Sequence, residues 1–342
     1  MDDLLKDTVD IVVNRLGSKL DNITVERAVF GLFFSGVKLS TGHGGLCFTP
    51  VKEMPEAVCC PSSAMVMPLS GKLSNVPVKQ YLDNIFCDNV LRRTLGIATL
   101  NALSTIIWES EDSTYIPIIG RDAFDEIDVT KYNKTVVVGA LIPMLKKLIA
   151  NDCDFTILEQ DSRTLKDHEL KFYAPAEDAY KYVPDADLLV ITGVTVLNGT
   201  LSELLEMAKP EAEILVTGPT ASMIPDVFFE KGVTMTGGII VTNADELLDI
   251  ISEAGSGYHF FGQSAERAII KKWGEKMENE GNIIIPIIGY ILTLIHPLIG
   301  IVYGAALFYL KKEVPLYRKH GRLIIYFSIL VFVVTLIVRQ FL

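Results

Sequence analysis

Two short apolar runs, Leu188 to Ile191 and Ile214 to Val216, each stop in a Thr-Gly pair followed by more small hydroxylated residues: Thr192-Gly193-Val194-Thr195 after the first and Thr217-Gly218-Pro219-Thr220-Ala221-Ser222 after the second. A buried strand that breaks into Gly, Thr and Ser at its carboxyl end and re-enters as a helix is how open α/β sheets build ligand crevices. Thr195 and Asn198 could add side-chain donors there. Thr200 and Glu203 form a T-x-x-E pattern that predicts a capping box opening one amphipathic helix near 200–208, with its free amides aimed back at the loop. Such a terminus favours an anionic group. The same residues could serve conformation alone, with Thr200 capping and the glycines turning. Repetition of the loop type at Gly218-Pro219-Thr220, and more weakly at Gly237-Gly238, favours ligand binding.

A third loop, VVVGALIPMLKK (Val136 to Lys147), permits a tight turn at Gly139. A dinucleotide fingerprint needs three glycines so that the backbone can approach a pyrophosphate; Ala140, Leu141 and Ile142 stand there instead, so there is no NAD fingerprint. Glu159, at the end of the next strand, occupies the place of a ribose-gripping acid. Glu159 and Asp161 are candidate acids at a crevice edge. For metals, His43 and Cys47 lie in a Gly-rich hairpin, Cys59 and Cys60 are adjacent, and Cys87, Cys153, His168 and His259 are scattered. Paired short ligand spacings, the usual sign of a structural zinc site, do not occur. The cysteines read as small buried hydrophobes, leaving His43 and His259, both in Gly-rich loops, as weak metal candidates.

The elements that must hold these loops follow from periodicity. Residues 2–18 predict a helix, Val25 to Leu39 and Gly45 to Thr49 predict strands joined by a turn, and Pro77 to Ile85 and Asn89 to Trp108 predict helices. Residues 1–125 therefore read as a small α+β domain. Beyond an acidic, turn-rich linker, strands at Thr135 to Val138, Asp154 to Leu158, Leu188 to Ile191, Ile214 to Val216 and Val233 to Met235 alternate with helices near 143–150, 200–208, 222–231 and 243–253. That alternation predicts a Rossmann-like parallel sheet over residues 131–273, an α/β fold.

The last 62 residues differ in composition, holding six of the 31 basic residues but one of the 42 acidic ones. The preceding body is thus strongly acidic, which argues against nucleic acid, since phosphate binding needs a Lys/Arg footprint. Ile283 to Leu310 carries no formal charge and Leu323 to Val338 adds sixteen more uncharged residues; a bilayer core needs about 20 per helix. Residues 281–342 therefore predict a two-helix transmembrane segment, with spans near 283–310 and 323–342. His296 falls within the first. The basic loop 311–322 should be cytoplasmic by the positive-inside rule, and a two-span hairpin would then place the body outside. Five cysteines without framework spacing point instead to a reducing compartment, and no signal peptide opens the chain. The expectation is a membrane protein with a cytoplasmic body, its basic loop either translocated or held inside by a re-entrant first segment.

The set LGIATLNALS around Asn101, VVVGALIP, Glu159, ADLLVITGVTVLNGT, ILVTGPTAS and GVTMTGGIIV resembles the "putative heavy-metal chelatase" family over about residues 5–270. The resemblance implies an enolase N-terminal-like domain joined to a Rossmann-like domain, with a site between them. Position by position it points to Asn101 and Glu159 as catalytic, and to Gly139, Thr192, Gly193, Thr195, Asn198, Thr200, Gly218, Pro219 and Thr220 as ligand-binding. Ala140-Leu141 and Cys47 depart from the family pattern without breaking it. The implied function is insertion or transfer of a divalent transition metal into an anionic organic ligand such as a tetrapyrrole, with Glu159 or a histidine accepting displaced protons. A nucleotide- or S-adenosylmethionine-like small-molecule binder, or a non-catalytic membrane-tethered interaction protein, are the alternatives, and the pattern leaves room for a homo-oligomer.

Overall fold

Every residue of Thr135–Val138 is buried, as are four of the five in Leu188–Thr192. Runs of that kind belong to strands covered on both faces. The structure, a computed structural model, describes residues 3–53, 67, 69–110, 115–272, 283–310 and 315–341. Among these the strands are β1 (Thr24–Phe30), β2 (Phe34–Leu39), β3 (Gly44–Phe48), β4 (Val76–Pro77), β5 (Ile118–Ile119), β6 (Thr135–Val138), β7 (Phe155–Glu159), β8 (Tyr173–Pro175), β9 (Leu188–Thr192), β10 (Glu213–Thr217), β11 (Met235–Val241) and β12 (Ala265–Lys271). The chain forms two compact units, Met1–Ile270 and Lys271–Leu342.

In the first unit, β1 to β4 make an antiparallel sheet in the order β3-β2-β1-β4, and the other strands make a sheet in the order β5-β12-β11-β10-β9-β6-β7-β8. The six strands from β11 to β8 are parallel. Numbered from β6, they lie in the order 3-2-1-4-5-6, that of doubly wound dinucleotide-binding sheets. The chain reaches one edge at β8 and returns to pair β9 with β6 on the opposite side, so the topological switch lies between β6 and β9. The α/β expectation holds. Strands β4, β5 and β8 are two or three residues long, too short for an alternating pattern, and β12 begins with charged residues, which hides it in the sequence.

Helix α1 (Asp3–Leu16), α2 (Val78–Asn84) and α3 (Val90–Trp108) belong to the antiparallel part. Asn89 caps α3, its side chain accepting from the Arg92 amide at 3.0 Å. Helix α3 is buried on nearly every side, packing on β2, β3, α1 and α2 as well as on the turn after β10. The approach to β3 is so close that a Cβ on Gly45 would sit 2.1 Å from the Ala98 carbonyl oxygen and 2.6 Å from the Ala102 nitrogen. Only glycine fits. The remaining helices of this unit are α4 (Ile142–Ala150), α5 (Ala179–Tyr182), α6 (Val194–Asn198), α7 (Leu201–Met207), α8 (Asp226–Glu230), α9 (Ala244–Ser252) and α10 (Gly257–Phe260).

The second unit departs from the two-span expectation. Its described residues form three helices, α11 (Ile284–Ile295), α12 (Pro297–Leu310) and α13 (Pro315–Phe341). The uncharged stretch 283–310 is broken because His296 is extended, at φ −155° and ψ 115°, the conformation favoured before proline. At 1.5 Å per residue α11 and α12 are about 18 and 21 Å long, against a hydrocarbon core of about 30 Å. Among the described residues no helix is long and apolar enough to cross a membrane.

Gly45→Val tests the packing of α3. Because the added atoms meet helix backbone rather than a movable side chain, we expect a loss of about 3 kcal/mol or more, read as a lower urea midpoint at unchanged slope. A midpoint equal to that of the native protein would show that helix and strand can separate without cost.

Candidate functional site

The loops at the carboxyl ends of β6 and β9 meet at the topological switch, where open α/β sheets bind ligands. Gly139 follows β6 with φ +93°, and a Cβ there would lie 2.8 Å from Cγ2 of Thr192. Both the left-handed backbone and the contact require glycine. Glu159 ends β7 and fixes this loop from the other side. One of its carboxylate oxygens accepts from the Ala140 amide at 2.9 Å; the other accepts from the amides of Gln160 at 2.9 Å and Asp161 at 3.2 Å. The carboxylate is therefore a staple between two loops, with both oxygens committed to backbone. Asp161 receives Arg163 Nε and Nη2 at 2.8 and 3.0 Å and Lys52 Nζ at 2.5 Å. Lys52 comes from the antiparallel part, so this ion pair ties that part to the edge of the crevice.

After β9, the Thr192 carbonyl accepts from the Thr195 hydroxyl at 2.7 Å, and the Gly193 amide donates to the Thr217 carbonyl at 2.6 Å. The single helix expected between β9 and β10 is in fact two, α6 and α7, because Gly199 adopts a left-handed φ of +75° and ends the first. That break also overturns the expected capping box. Thr200 is left at φ −95° and ψ −6° with no side-chain cap, whereas a capping residue needs an extended backbone to aim its oxygen at the third amide. Its hydroxyl donates instead to Oδ1 of Asn198 at 2.7 Å, and its amide donates to the same atom at 3.2 Å. With seven residues and no capping hydroxyl, α7 is a poor anion site. Asn198 and Gly199 line a separate cavity of about 590 Å³ with Asp3, Arg93 and Glu203, whose lining includes neither Gly139 nor Thr192.

The third loop brings the two parts of the unit together. Gly218, at φ 127° and ψ 162°, occupies a region open to glycine and turns the following carbonyls toward α3. There Asn101, 2% exposed, donates through Nδ2 to the carbonyls of Leu46 at 2.8 Å, Thr220 at 3.1 Å and Pro219 at 3.2 Å. The Thr220 hydroxyl accepts from the Phe48 amide at 3.0 Å and also engages the buried Cys47 thiol, whose pKa is raised by that burial. One turn along α3, Ser104 Oγ accepts from the Ile224 amide at 3.1 Å. Ser222 Oγ donates to Pro219 O at 2.8 Å and accepts from the Ile239 amide at 2.9 Å. Asn101, Gly218, Pro219 and Thr220 are thus assembled in one place, while Gly139, Glu159, Thr192 and Gly193 surround the switch point. Ser104 and Ser222 were not singled out by sequence; the spacing of Ser104 three residues from Asn101, on one helix face, is the signal that could have found it.

The two candidate histidines, His43 and His259, are elsewhere and are partnered. His43 lies between Thr41 Oγ1 at 2.9 Å and Glu109 Oε2 at 3.0 Å. His259 Nδ1 accepts from the Ser256 amide at 3.0 Å, closing a short helical turn. Among the described residues no group of three His, Cys, Asp or Glu could hold a metal ion; Cys59 and Cys60 lie outside the described residues.

Two predictions follow from these contacts. The Arg163 hydrogen bond, then that of Lys52, hold the Asp161 carboxyl well below the usual carboxylate range. A lowered native pKa contributes stability that is complete above the unfolded value and fades as pH falls through the native one. Carbon-detected titration of Asp161 should show the shift largely relieved in Arg163→Ala and less so in Lys52→Ala; an ordinary pKa in the native protein would refute the pairing. For Asn101→Ala we expect a loss of about 1–3 kcal/mol per carbonyl left without a donor, and a larger loss for Asn101→Asp, which sets a carboxyl against three carbonyl oxygens. Equal urea midpoints for the two variants would show that the amide is not the tie.

Two family models match the chain, over residues 13–104 and 122–270, and both carry the description "Putative heavy-metal chelation". An uncharacterized protein of Methanocaldococcus jannaschii is 28% identical over 194 residues, covering 56% of this chain and 70% of its own. A crystallised protein of unknown function from Pyrococcus horikoshii has the same fold, with a TM-score of 0.62 at 19% identity over 79% of this chain and 100% of its own. One from Desulfitobacterium hafniense has a TM-score of 0.58 at 21% identity, covering 78% and 98%. With both parts of the first unit matched in order, the chain belongs to the family described as "Putative heavy-metal chelation".

Proposed function

We propose that the protein handles a divalent transition metal as cargo, held with an anionic organic carrier of the tetrapyrrole class in the crevice between the loops after β6 and β9. The observation that carries the reading is the meeting of Gly139 and Thr192 at the topological switch, where backbone can approach a ligand without side chains intervening. The family description supplies the metal. In this reading Gly139, Thr192, Gly193 and Thr195 form the walls, and Gly218, Pro219 and Thr220 form the far side. Glu159 and Asn101 act by positioning, since the carboxylate of one and the amino group of the other are engaged with backbone. Loading a metal onto nitrogen or carboxylate ligands displaces protons, which in this crevice pass to solvent.

A second reading has one specific observation in its favour. The 3-2-1-4-5-6 strand order with Glu159 at the end of β7 is the frame that holds nucleotides in other proteins. Against it, the Ala140 amide, which a phosphate would use, already donates to Glu159.

Anaerobic titration of the full chain with Co²⁺, Ni²⁺ and Fe²⁺, alone and with candidate tetrapyrroles, separates the two. We expect metal-dependent heat and an absorbance change, both weakened at least several-fold in Gly139→Val. Absence of metal binding, with a thermal shift from adenine nucleotides or S-adenosylmethionine instead, would establish the second reading.

A further inference from the structure

The C-terminal unit has its polarity reversed relative to the body. Where its three helices meet, small and hydroxylated residues are buried beside a small apolar cluster of Leu307, Tyr317 and Ile324. Thr293 and Ser328 are fully buried and share a hydrogen bond of 2.8 Å, with Thr293 Oγ1 also 2.9 Å from the Gly289 carbonyl. A Cβ on Gly300 would lie 2.2 Å from Thr293 Oγ1, and Gly304 and Gly321 each stand within 3 Å of the other's carbonyl oxygen by the same measure. The large aliphatic side chains point outward. Ile287, Ile291, Leu294 and Ile295 of α11, Leu298, Ile299 and Val302 of α12, and Leu323, Ile329 and Leu330 of α13 are exposed, Leu294, Ile295 and Val302 by about 70%.

This distribution identifies the surroundings of the unit. Each helix packs on both others, so their outer faces diverge and the apolar surface encircles the bundle. A protein partner would cover one face. Small residues at the crossings and hydroxyls paired between helices are the packing of helices in hydrocarbon, where no hydrophobic force draws large side chains inward. Charge marks one end. Helices α11 and α12 are antiparallel, since Tyr303 Oη reaches the Ile285 carbonyl at 3.0 Å, and Gly304 faces Gly321 across α12 and α13. The start of α11, the end of α12 and the start of α13 therefore lie at the same end, where Arg322 stacks 5.0 Å from the Phe308 ring and Lys319 is exposed. The sequence between α12 and α13 adds Lys311, Lys312 and one acid, Glu313. The opposite end of the α11–α12 hairpin is the His296-Pro297 turn, without a formal charge.

We propose that the C-terminal unit embeds in a lipid bilayer, with the α11–α12 hairpin entering the acyl chains from one side and turning back at His296-Pro297. The basic end stays among anionic headgroups, on the face from which the chain arrives at α11. At about 18 and 21 Å, α11 and α12 reach part of the way through a core of about 30 Å, whereas the 27 residues of α13 extend over about 40 Å. The geometry also removes a conflict in the sequence. With the first uncharged stretch turning back, the basic sequence 311–322 and the chain entering α11 share one membrane face, which satisfies the positive-inside rule as a pair of complete spans could not.

The test uses the full chain and two independent readouts. Mixed with vesicles of phosphatidylcholine, with and without phosphatidylglycerol, the protein should float on a density gradient, more completely with the anionic lipid. In Ile291→Asn/Leu294→Asn/Val302→Asn, whose changes all lie on the outer face, vesicle affinity should fall roughly tenfold or more per side chain, the factor for losing a buried aliphatic group. Lys319→Cys should react with a membrane-impermeant maleimide only after cell lysis. A native protein that stays at the bottom of the gradient, whether as a monomer or as a discrete oligomer, overturns the proposal. So does a variant that floats as well as the native chain, or labelling of Lys319→Cys in intact cells.

Discussion

The arrangement of the first unit depends on one buried amide. Burial of apolar side chains favours any close packing of α3 on the sheets and is indifferent to rotation or slip. Backbone carbonyls are not indifferent, because each one buried without a donor costs about 1–3 kcal/mol. The carbonyls of Pro219 and Thr220 have left the strand ladder at the Gly218 turn, and that of Leu46 faces α3. Asn101 supplies the donor to all three from the middle of a helix with almost no solvent around it. Its Oδ1 remains buried without a hydrogen bond. The amide thus spends its donors on fixing the antiparallel hairpin, α3 and the loop after β10 in one register.

From that register the crevice follows. Gly218, once fixed, donates its amide to the Gly237 carbonyl, and the Thr217 carbonyl receives the Gly193 amide. The loop after β9 is therefore hung on the loop after β10, and Thr192 is placed against Gly139. Glu159 then secures the far wall by taking the Ala140 amide. The loops at the switch point are held in place by direct hydrogen bonds before any ligand arrives, and walls so fixed would cost a ligand little ordering energy.

Much of this was legible in the residues. Buried β-branched runs ending in Thr-Gly pointed to the parallel sheet, since a strand covered on both faces leaves a near-continuous apolar run. Asn101 entered through resemblance, as a catalytic residue; its bridging of three carbonyls was not legible, because composition alone cannot tell a polar residue that will do so from one at a helix surface. Thr200 shows why a local pattern can mislead. The T-x-x-E spacing was right for a capping box, but Gly199 in a left-handed conformation set the backbone of the next residue, and the hydroxyl turned to Asn198. Glu159 was placed correctly at the strand end, and its engagement with three amides could be seen only once the loops had been brought together.

The reading of the C-terminal unit failed for a different reason, and the failure is informative. Counting uncharged residues treats 283–310 as one helix, but a Pro at 297 pushes His296 out of the helical region and folds the stretch on itself. Length then argues against a complete crossing by α11 or α12. In the body the chain buries Leu, Ile and Val; in the C-terminal unit Thr293, Ser328, Leu307, Tyr317 and Ile324 are buried while further Ile, Leu and Val side chains of α11, α12 and α13 are exposed. So many exposed aliphatic side chains carry a cost in water of about 25 cal/mol per Å² of apolar surface, and it is this cost, not the length of one uncharged run, that sets the C-terminal unit apart from the body.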